Sequence, residues 1–273
     1  MSTDIEWERW GAQDPYFGVL TDPRFRKEGM TPAAKQEFFT SGFAHVDYVV
    51  SACRRYIDAA FAPARVLDFG CGVGRLLIPF AGFAREVVGI DVAPSMLKEA
   101  RKNCAERGFG NVALVLSDDT LSAVEGQFDL VHSCIVLQHI EVARGRAIFA
   151  RLVDKVRGGG CGAIHVTFGW DVHAATFGLP PEPPLAPPPP AGALSQAKST
   201  VKRLLEPLGL QQKPAVVLAE VSSPDPEMQM NYYNLSELMF IMQRAGVHRV
   251  HTEFTDHGGA LGAFLFFQKP VTD

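Results

Sequence analysis

Short apolar runs alternate with amphipathic stretches through the middle of the chain, and this rhythm predicts most of the secondary structure. Arg65–Phe69 (RVLDF) reads as a buried strand, followed by a glycine turn and a helix to about Ala84. Glu86–Ile90 is a second strand, with a helix over Pro94–Gly108 whose end Gly108 marks. Val112–Leu116 and Phe128–Cys134 are further strands. Glu141–Arg157 has helical spacing and stops at Gly158-Gly159-Gly160, and Cys161–Phe168 is a fifth strand. Near the C-terminus a helix is expected from Ser236 to Gly246 with Asn234 as N-cap, then strands over His248–Thr255 and Leu261–Gln268. The turn between these two is short, so they pair antiparallel. Strand–helix alternation implies parallel neighbours with right-handed crossovers. The predicted fold is therefore α/β, a doubly wound, seven-stranded, mostly parallel sheet with an antiparallel last strand.

The flanks read differently. Residues 1–31 mix Trp7, Trp10, Tyr16, Phe17 and Phe25 with Pro15, Gly18, Pro23 and Gly29, which suggests an irregular arm packed on something apolar. Thr31 and Pro32 are a helix start, as N-cap and first position, for a helix that continues to about Phe61 past a potential break at Gly42. Residues 1–61 are thus expected to be an N-terminal arm and helix, a candidate lid, on a domain spanning 62–273. Within that domain 169–230 reads as an insertion or cap. It includes the proline run PPEPPLAPPPP, then helical spacing over 192–209 and a short strand at 215–221.

Composition narrows the classes. The 273 residues are 47% hydrophobic and 21% charged, with a net charge of −4, so there is no general attraction to nucleic acid or anionic membrane. Nucleic acid is accordingly an unexpected partner. No run approaches the roughly 18–20 apolar residues of a membrane helix. The start of the chain lacks the basic and apolar regions of a secretory signal, and the expected location is cytoplasmic. Cys53, Cys71, Cys104, Cys134 and Cys161 show no C-x-x-C spacing and no zinc pattern, which fits small reduced thiols in the interior.

The chemical signal is concentrated in Val66-Leu67-Asp68-Phe69-Gly70-Cys71-Gly72-Val73-Gly74-Arg75. A strand enters a glycine turn that opens a helix, a geometry that lets a ligand approach the backbone. Arg75 stands where a dinucleotide fingerprint has its third glycine, and Asp68 precedes the turn. A carboxylate beside a pyrophosphate is unfavourable, whereas a ligand carrying an ammonium and a sulfonium favours it. S-adenosylmethionine is such a ligand.

This stretch resembles the first motif of the class I S-adenosylmethionine-dependent methyltransferases. Val87–Asp91, an apolar strand ending in an acid and continuing to Met96-Leu97, agrees with it. So do Leu114–Thr120, Phe128–Ile140 and the stretch from Leu152 through the glycines to Val166. The resemblance is good over 65–168, moderate over 231–270 and loose elsewhere. It implies that Asp68, Gly70, Gly72 and Gly74 form the cofactor turn. It further implies that Asp91, with Val92 and Met96, receives the ribose, and that Asp118, or else Asp119, accepts from the adenine amino group. Cys134 would line the same pocket through its backbone. The product would be S-adenosylhomocysteine.

His139, just past the fourth strand, either takes a proton from the attacking group or shapes the pocket by hydrogen bonding. His132 and His165, inside apolar strands, read as core histidines, and Asp129 as a structural cap. Phe39, Trp170, His173, Tyr232 and Tyr233 are the candidates for the acceptor's wall. The arm and the helix bearing Phe38, Phe39 and Phe43 either close over the site or merely cover a face of the sheet. The acceptor expected is a small organic molecule methylated on oxygen or nitrogen. A nucleic-acid or protein methyltransferase and a catalytically silent cofactor-binding module are the rival readings, and a homodimer is compatible with all three.

Overall fold

The computed structural model describes residues 3–180 and 225–271. The expected helix at 192–209, the strand at 215–221 and nearly all of the proline run lie outside the described residues.

Seven strands form one sheet: β1 Arg65–Phe69, β2 Glu86–Asp91, β3 Val112–Leu116, β4 Phe128–Ser133, β5 Val156–Trp170, β6 Val250–His257 and β7 Ala260–Gln268, in the order β3-β2-β1-β4-β5-β7-β6. Neighbours from β3 to β5 are parallel, and β7 runs antiparallel between β5 and β6. Alternate strand residues feed two cores, as expected for a sheet covered on both faces. Leu67, Val88, Val131, Leu265 and Phe267 face α6 (Val142–Lys155) and α7 (Leu235–Arg244). Val66, Val87, Leu130, Phe264 and Phe266 face α3 (Pro32–Ala52) and α4 (Leu77–Ala81). The helix α5 (Pro94–Glu106) flanks β2 and β3.

Three sequence expectations need correction. Residues 1–31 are not irregular: α1 (Thr3–Gln13) and α2 (Pro15–Val19) form there, because α1 buries Trp10 and Gly11 against α5. Second, Gly42 does not break α3. It sits where a Cβ would lie 2.3 Å from the Arg75 carbonyl oxygen, so the glycine serves close packing on the turn after β1. After Ala52 the helix ends in a π turn over Cys53–Ile57. Third, the glycines at 158–160 continue β5 rather than preceding it; Gly159 donates to the Lys269 carbonyl and Lys269 to that of Gly160, extending the sheet past β7.

The capping expectations appear directly. The Thr31 hydroxyl accepts from Ala34 N–H, and the Asn234 side chain accepts from Ser236 N–H. Asp129 accepts from the N–H groups of Ala64 and Arg65 at 2.9 and 2.7 Å and pairs with Arg157, pinning the start of β1 to β4. Among the described residues, no helix is long and apolar enough to cross a membrane.

Candidate functional site

A cavity of about 410 Å³ opens at the carboxyl ends of β1, β2 and β4, where the strand order reverses between β1 and β4. Open α/β sheets bind ligands at this switch point, in cavities of roughly 300–1,000 Å³. Its floor is the glycine turn. Gly70, Gly72 and Gly74 have φ of 72°, 52° and 87°, a region that costs side-chain-bearing residues energy. Space is short as well: a Cβ on Gly70 would lie 2.4 Å from Val136 Cγ2, and one on Gly72 2.6 Å from Val19 Cγ2.

Asp91 ends β2 and ties the turn down. Its Oδ2 accepts from Gly72 N–H and its Oδ1 from Ala93 N–H, both at 2.9 Å. Burial pushes its pKa up to about 6, against the downward pull of those backbone donors. Val92 and Met96, from the start of α5, line the cavity beside it.

Asp68 and Arg75 flank the same turn, and both face the cavity. Among the described residues only three buried side-chain atoms lack a hydrogen-bond partner, and Asp68 Oδ2 and Arg75 Nε are two of them. Burying an unsatisfied charged group is costly. An anion and a cation on one wall, each with one buried atom still unpartnered, therefore complement a zwitterion bearing an ammonium and a carboxylate. The amino-acid end of S-adenosylmethionine is of that kind, whereas a pyrophosphate is not.

The chain leaves β4 through Cys134, Ile135 and Val136, all of which line the cavity. Burial pushes the Cys134 thiol up to about 12, so it is neutral. Ile135 has φ of 58°, a strained conformation for a β-branched residue and one that marks the exit from β4 as tightly constrained. One helical turn, Leu137–His139, follows. His139 Nδ1–H donates to the Gln229 carbonyl at 2.8 Å, which leaves Nε2 as the lone-pair nitrogen. Gln138 orients its amide with the oxygen accepting from Thr167 Oγ1 at 2.6 Å and the nitrogen 3.3 Å from His139 Nε2. Burial lowers the His139 pKa, outweighing the Gln229 carbonyl, so the ring is an uncharged base at neutral pH.

The roof is α1. Thr3, Asp4 and Trp7 line the cavity from above, with Gly18–Thr21 beyond them. Thr3 Oγ1 donates to the His139 carbonyl at 2.7 Å, and the Trp7 ring lies edge-on to His139 at 5.0 Å. Glu8 accepts from Ser95 N–H at 3.0 Å and from its hydroxyl at 2.6 Å, while Glu6 accepts from Glu227 N–H at 2.9 Å.

Several expected site residues stand elsewhere. The Asp118 carboxylate is exposed and accepts from Thr120 and Ser122, closing its own turn. Asp119 pairs with Arg144, which also grips Asp4 of the roof at 2.7 and 2.9 Å. Neither acid lines the cavity; the preceding Ser117 does. Phe39 is 1% exposed in an aromatic cluster with Phe38 and Tyr16, beneath the Arg107 guanidinium, and away from the cavity. Of the other acceptor-wall candidates, Trp170 lines the cavity and Tyr232 packs edge-on behind it. His173 lies in the turn after β5 and does not reach the cavity lining. Tyr233 is buried, its hydroxyl 2.9 and 2.7 Å from the Leu137 and Ile140 carbonyls, and it braces the turn that carries His139. Sequence reasoning passed over Arg75, Gln138, Met228, Met230 and His257, all on the cavity wall. Arg75 had a signal, a cation directly after the glycine turn, and so had Gln138, the neighbour of His139; the other three come from segments joined only by the fold.

Comparison with known proteins agrees with this geometry. Residues 66–160 match the family described as methyltransferase domain. The chain is 35% identical over 171 residues to aklanonic acid methyltransferase DauC of Streptomyces sp. (strain C5), covering 60% of this chain and 74% of that protein. It is 39% identical over 103 residues to the ubiquinone biosynthesis O-methyltransferase of Thiobacillus denitrificans, covering 36% of this chain but only 44% of that one. The magnesium protoporphyrin IX methyltransferase of Synechocystis PCC 6803, solved with S-adenosylhomocysteine, shares the fold at a TM-score of 0.57 and 17% identity, over 97% of this chain and 98% of that one. The N-methyltransferase NodS of Bradyrhizobium japonicum WM9 does so at 0.56 and 13%, over 99% and 100%. The chain belongs to the class I S-adenosylmethionine-dependent methyltransferases.

Proposed function

We propose that this enzyme methylates a small organic acceptor on oxygen or nitrogen, with His139 as the base. The observation that carries this reading is the fixed tautomer of His139. Its Nδ1–H is held by the Gln229 carbonyl, and its unprotonated Nε2, which accepts from the Gln138 amide at 3.3 Å until an acceptor displaces it, belongs to a ring in the cavity wall. When bound, S-adenosylmethionine supplies a methyl group activated by a positive sulfur. Asp91 would hold its ribose, and Asp68 with Arg75 its amino-acid end. His139 takes the proton of the acceptor's hydroxyl or amine, and the α1 roof excludes water. Positioning of the two reactants can contribute roughly 7–11 kcal/mol.

Trp7, Ile140, Trp170, Met228 and Met230 on the wall favour an apolar, ring-bearing acceptor. The relative named for aklanonic acid supports a small organic acceptor, and the one named as an O-methyltransferase of ubiquinone biosynthesis supports an oxygen nucleophile. Within residues 1–61 we read α1 and α2 as the lid of a methyltransferase domain at 62–273. We further read the enzyme as cytoplasmic and without a nucleic-acid partner, in keeping with its net charge of −4. A homodimer is compatible with this reading, and sedimentation would check it.

The test is methyl transfer from labelled donor to phenols, hydroxyquinones, aromatic carboxylates and amines, with RNA and protein alongside. Transfer to a small acceptor, cut roughly 10²–10⁴-fold by His139→Gln without loss of donor binding, is the expected result. The wild-type rate should rise with pH through a value below 6.5, the ordinary histidine pKa, and then level off. Transfer only to RNA or protein would overturn the reading.

A further inference from the structure

The carboxylate of Asp68 is not held by the backbone. It is held by a file of two histidines that reaches from β4 into α3. His132 Nδ1 lies 2.8 Å from Asp68 Oδ1, and His132 Nε2 lies 3.1 Å from His45 Nε2. His132 is 0% exposed and Asp68 2%. Phe80 and Phe264 pack around the His132 ring, which fixes its orientation.

With Asp68 a carboxylate and both rings uncharged, the protons of this file have one arrangement. The carboxylate only accepts, so His132 must donate from Nδ1. A neutral His132 then has a lone pair on Nε2, and the proton between the two rings must come from His45. Burial drives the His45 pKa down to about 2, so its ring is neutral and donates from Nε2 alone. Both hydrogen bonds thus point toward Asp68 and polarise one another. They occupy Oδ1 and leave Oδ2, a buried atom of a residue in the cavity wall, without a partner.

We infer that His132, backed by His45, is a positioning residue: it keeps the Asp68 carboxylate turned so that Oδ2 receives the ammonium group of the cofactor's amino-acid end. The inference rests on the cofactor assignment above and adds to it that α3, a helix outside the sheet, takes part in ammonium recognition through His45.

The test compares two ligands by calorimetry. S-adenosylhomocysteine carries the amino-acid end, and 5′-methylthioadenosine has the same nucleoside without it. In His132→Asn the side-chain amide nitrogen stands near the place of Nδ1 and can still donate to Asp68. In His132→Leu nothing donates. A charge-assisted hydrogen bond at a buried site governs roughly a tenfold or greater difference in affinity. His132→Leu should therefore lose at least about tenfold for S-adenosylhomocysteine and about nothing for 5′-methylthioadenosine, with His132→Asn staying near wild type. His45→Phe keeps the ring packing and should weaken S-adenosylhomocysteine alone, by a few-fold, which keeps the test decisive if His132→Leu does not fold. Equal losses for both ligands, no loss for either, or failure of asparagine to rescue would overturn the inference. Wild-type protein that binds neither ligand would overturn the cofactor assignment as well.

Discussion

Tyr233 shows how a residue can matter to a site it never enters. Its hydroxyl reaches the Leu137 and Ile140 carbonyls, and it can do so only because residue 145 is glycine: a Cβ there would lie 1.8 Å from the hydroxyl oxygen. Removing the hydroxyl in Tyr233→Phe leaves buried carbonyls short of a donor, a cost of roughly 1–3 kcal/mol. The turn bearing His139 would loosen. Denaturant unfolding should show that loss of stability, and steady-state kinetics should show a reduced kcat with an unaltered KM for the methyl donor. An unchanged kcat would mean that Tyr233 only fills space. The aromatic pair Tyr232-Tyr233 was legible as part of the site's surroundings, but its role was not. That role depends on Gly145, far away in sequence. Asp118 and Asp119 teach the same lesson. Their acidity was visible, but Asp118 turns into its own local loop through Thr120 and Ser122, and Asp119 goes to Arg144, which only the folded chain brings to it.

At the level of elements, β1 to β5 were readable because each contains a short apolar run, closed in β1, β2, β3 and β5 by glycine or an acid, and such runs have few alternatives to a buried strand. The helix α1 was not. It is interrupted in pattern by Gly11 and followed by Pro15, and its order comes from contacts with α5 rather than from its own propensity. A Cβ at Gly11 would lie 2.9 Å from the Met96 backbone nitrogen and 3.0 Å from Ser95 Cβ. Backbone cannot yield there, so Gly11→Val should lift α1 off α5. Limited proteolysis should then cut near the N-terminus at a higher rate. Affinity for S-adenosylhomocysteine should fall roughly tenfold if the roof adds the equivalent of one good buried contact. A variant that digests and binds like wild type would show that the cavity needs no roof.

For the whole molecule, three buried histidines set the response to acid. Burial lowers the pKa of His45 to about 2, that of His165 to about 3, and that of His139 below its ordinary value. Unfolded, each takes a proton as pH falls through about 6.5. Folded, each resists until lower pH. Their contribution to stability is therefore complete above pH 6.5 and is lost as pH falls, by up to about 1.4 kcal/mol per pH unit for each of His45 and His165 and in the same direction for His139. Asp91 works in the opposite sense, since its folded pKa is raised to about 6 and protonation there favours the folded form as pH drops. His45 and His165 alone outweigh the one carboxyl and leave a net loss between pH 6.5 and 5. Urea midpoints at pH 7.5, 6.5 and 5.5 should fall in that order, and a flat series would refute the account. The α1 roof answers to a different variable. Its C-terminal half is anchored by buried Trp10, but the half above the cavity is fastened by Asp4 to Arg144, a pair partly open to solvent. Ions screen such a clasp within a Debye length of about 10 Å at 0.1 M, while the sheet beneath hardly notices them. Ionic strength is thus a control that opens the door without weakening the house: at moderate salt the fold should hold unchanged while product escapes faster.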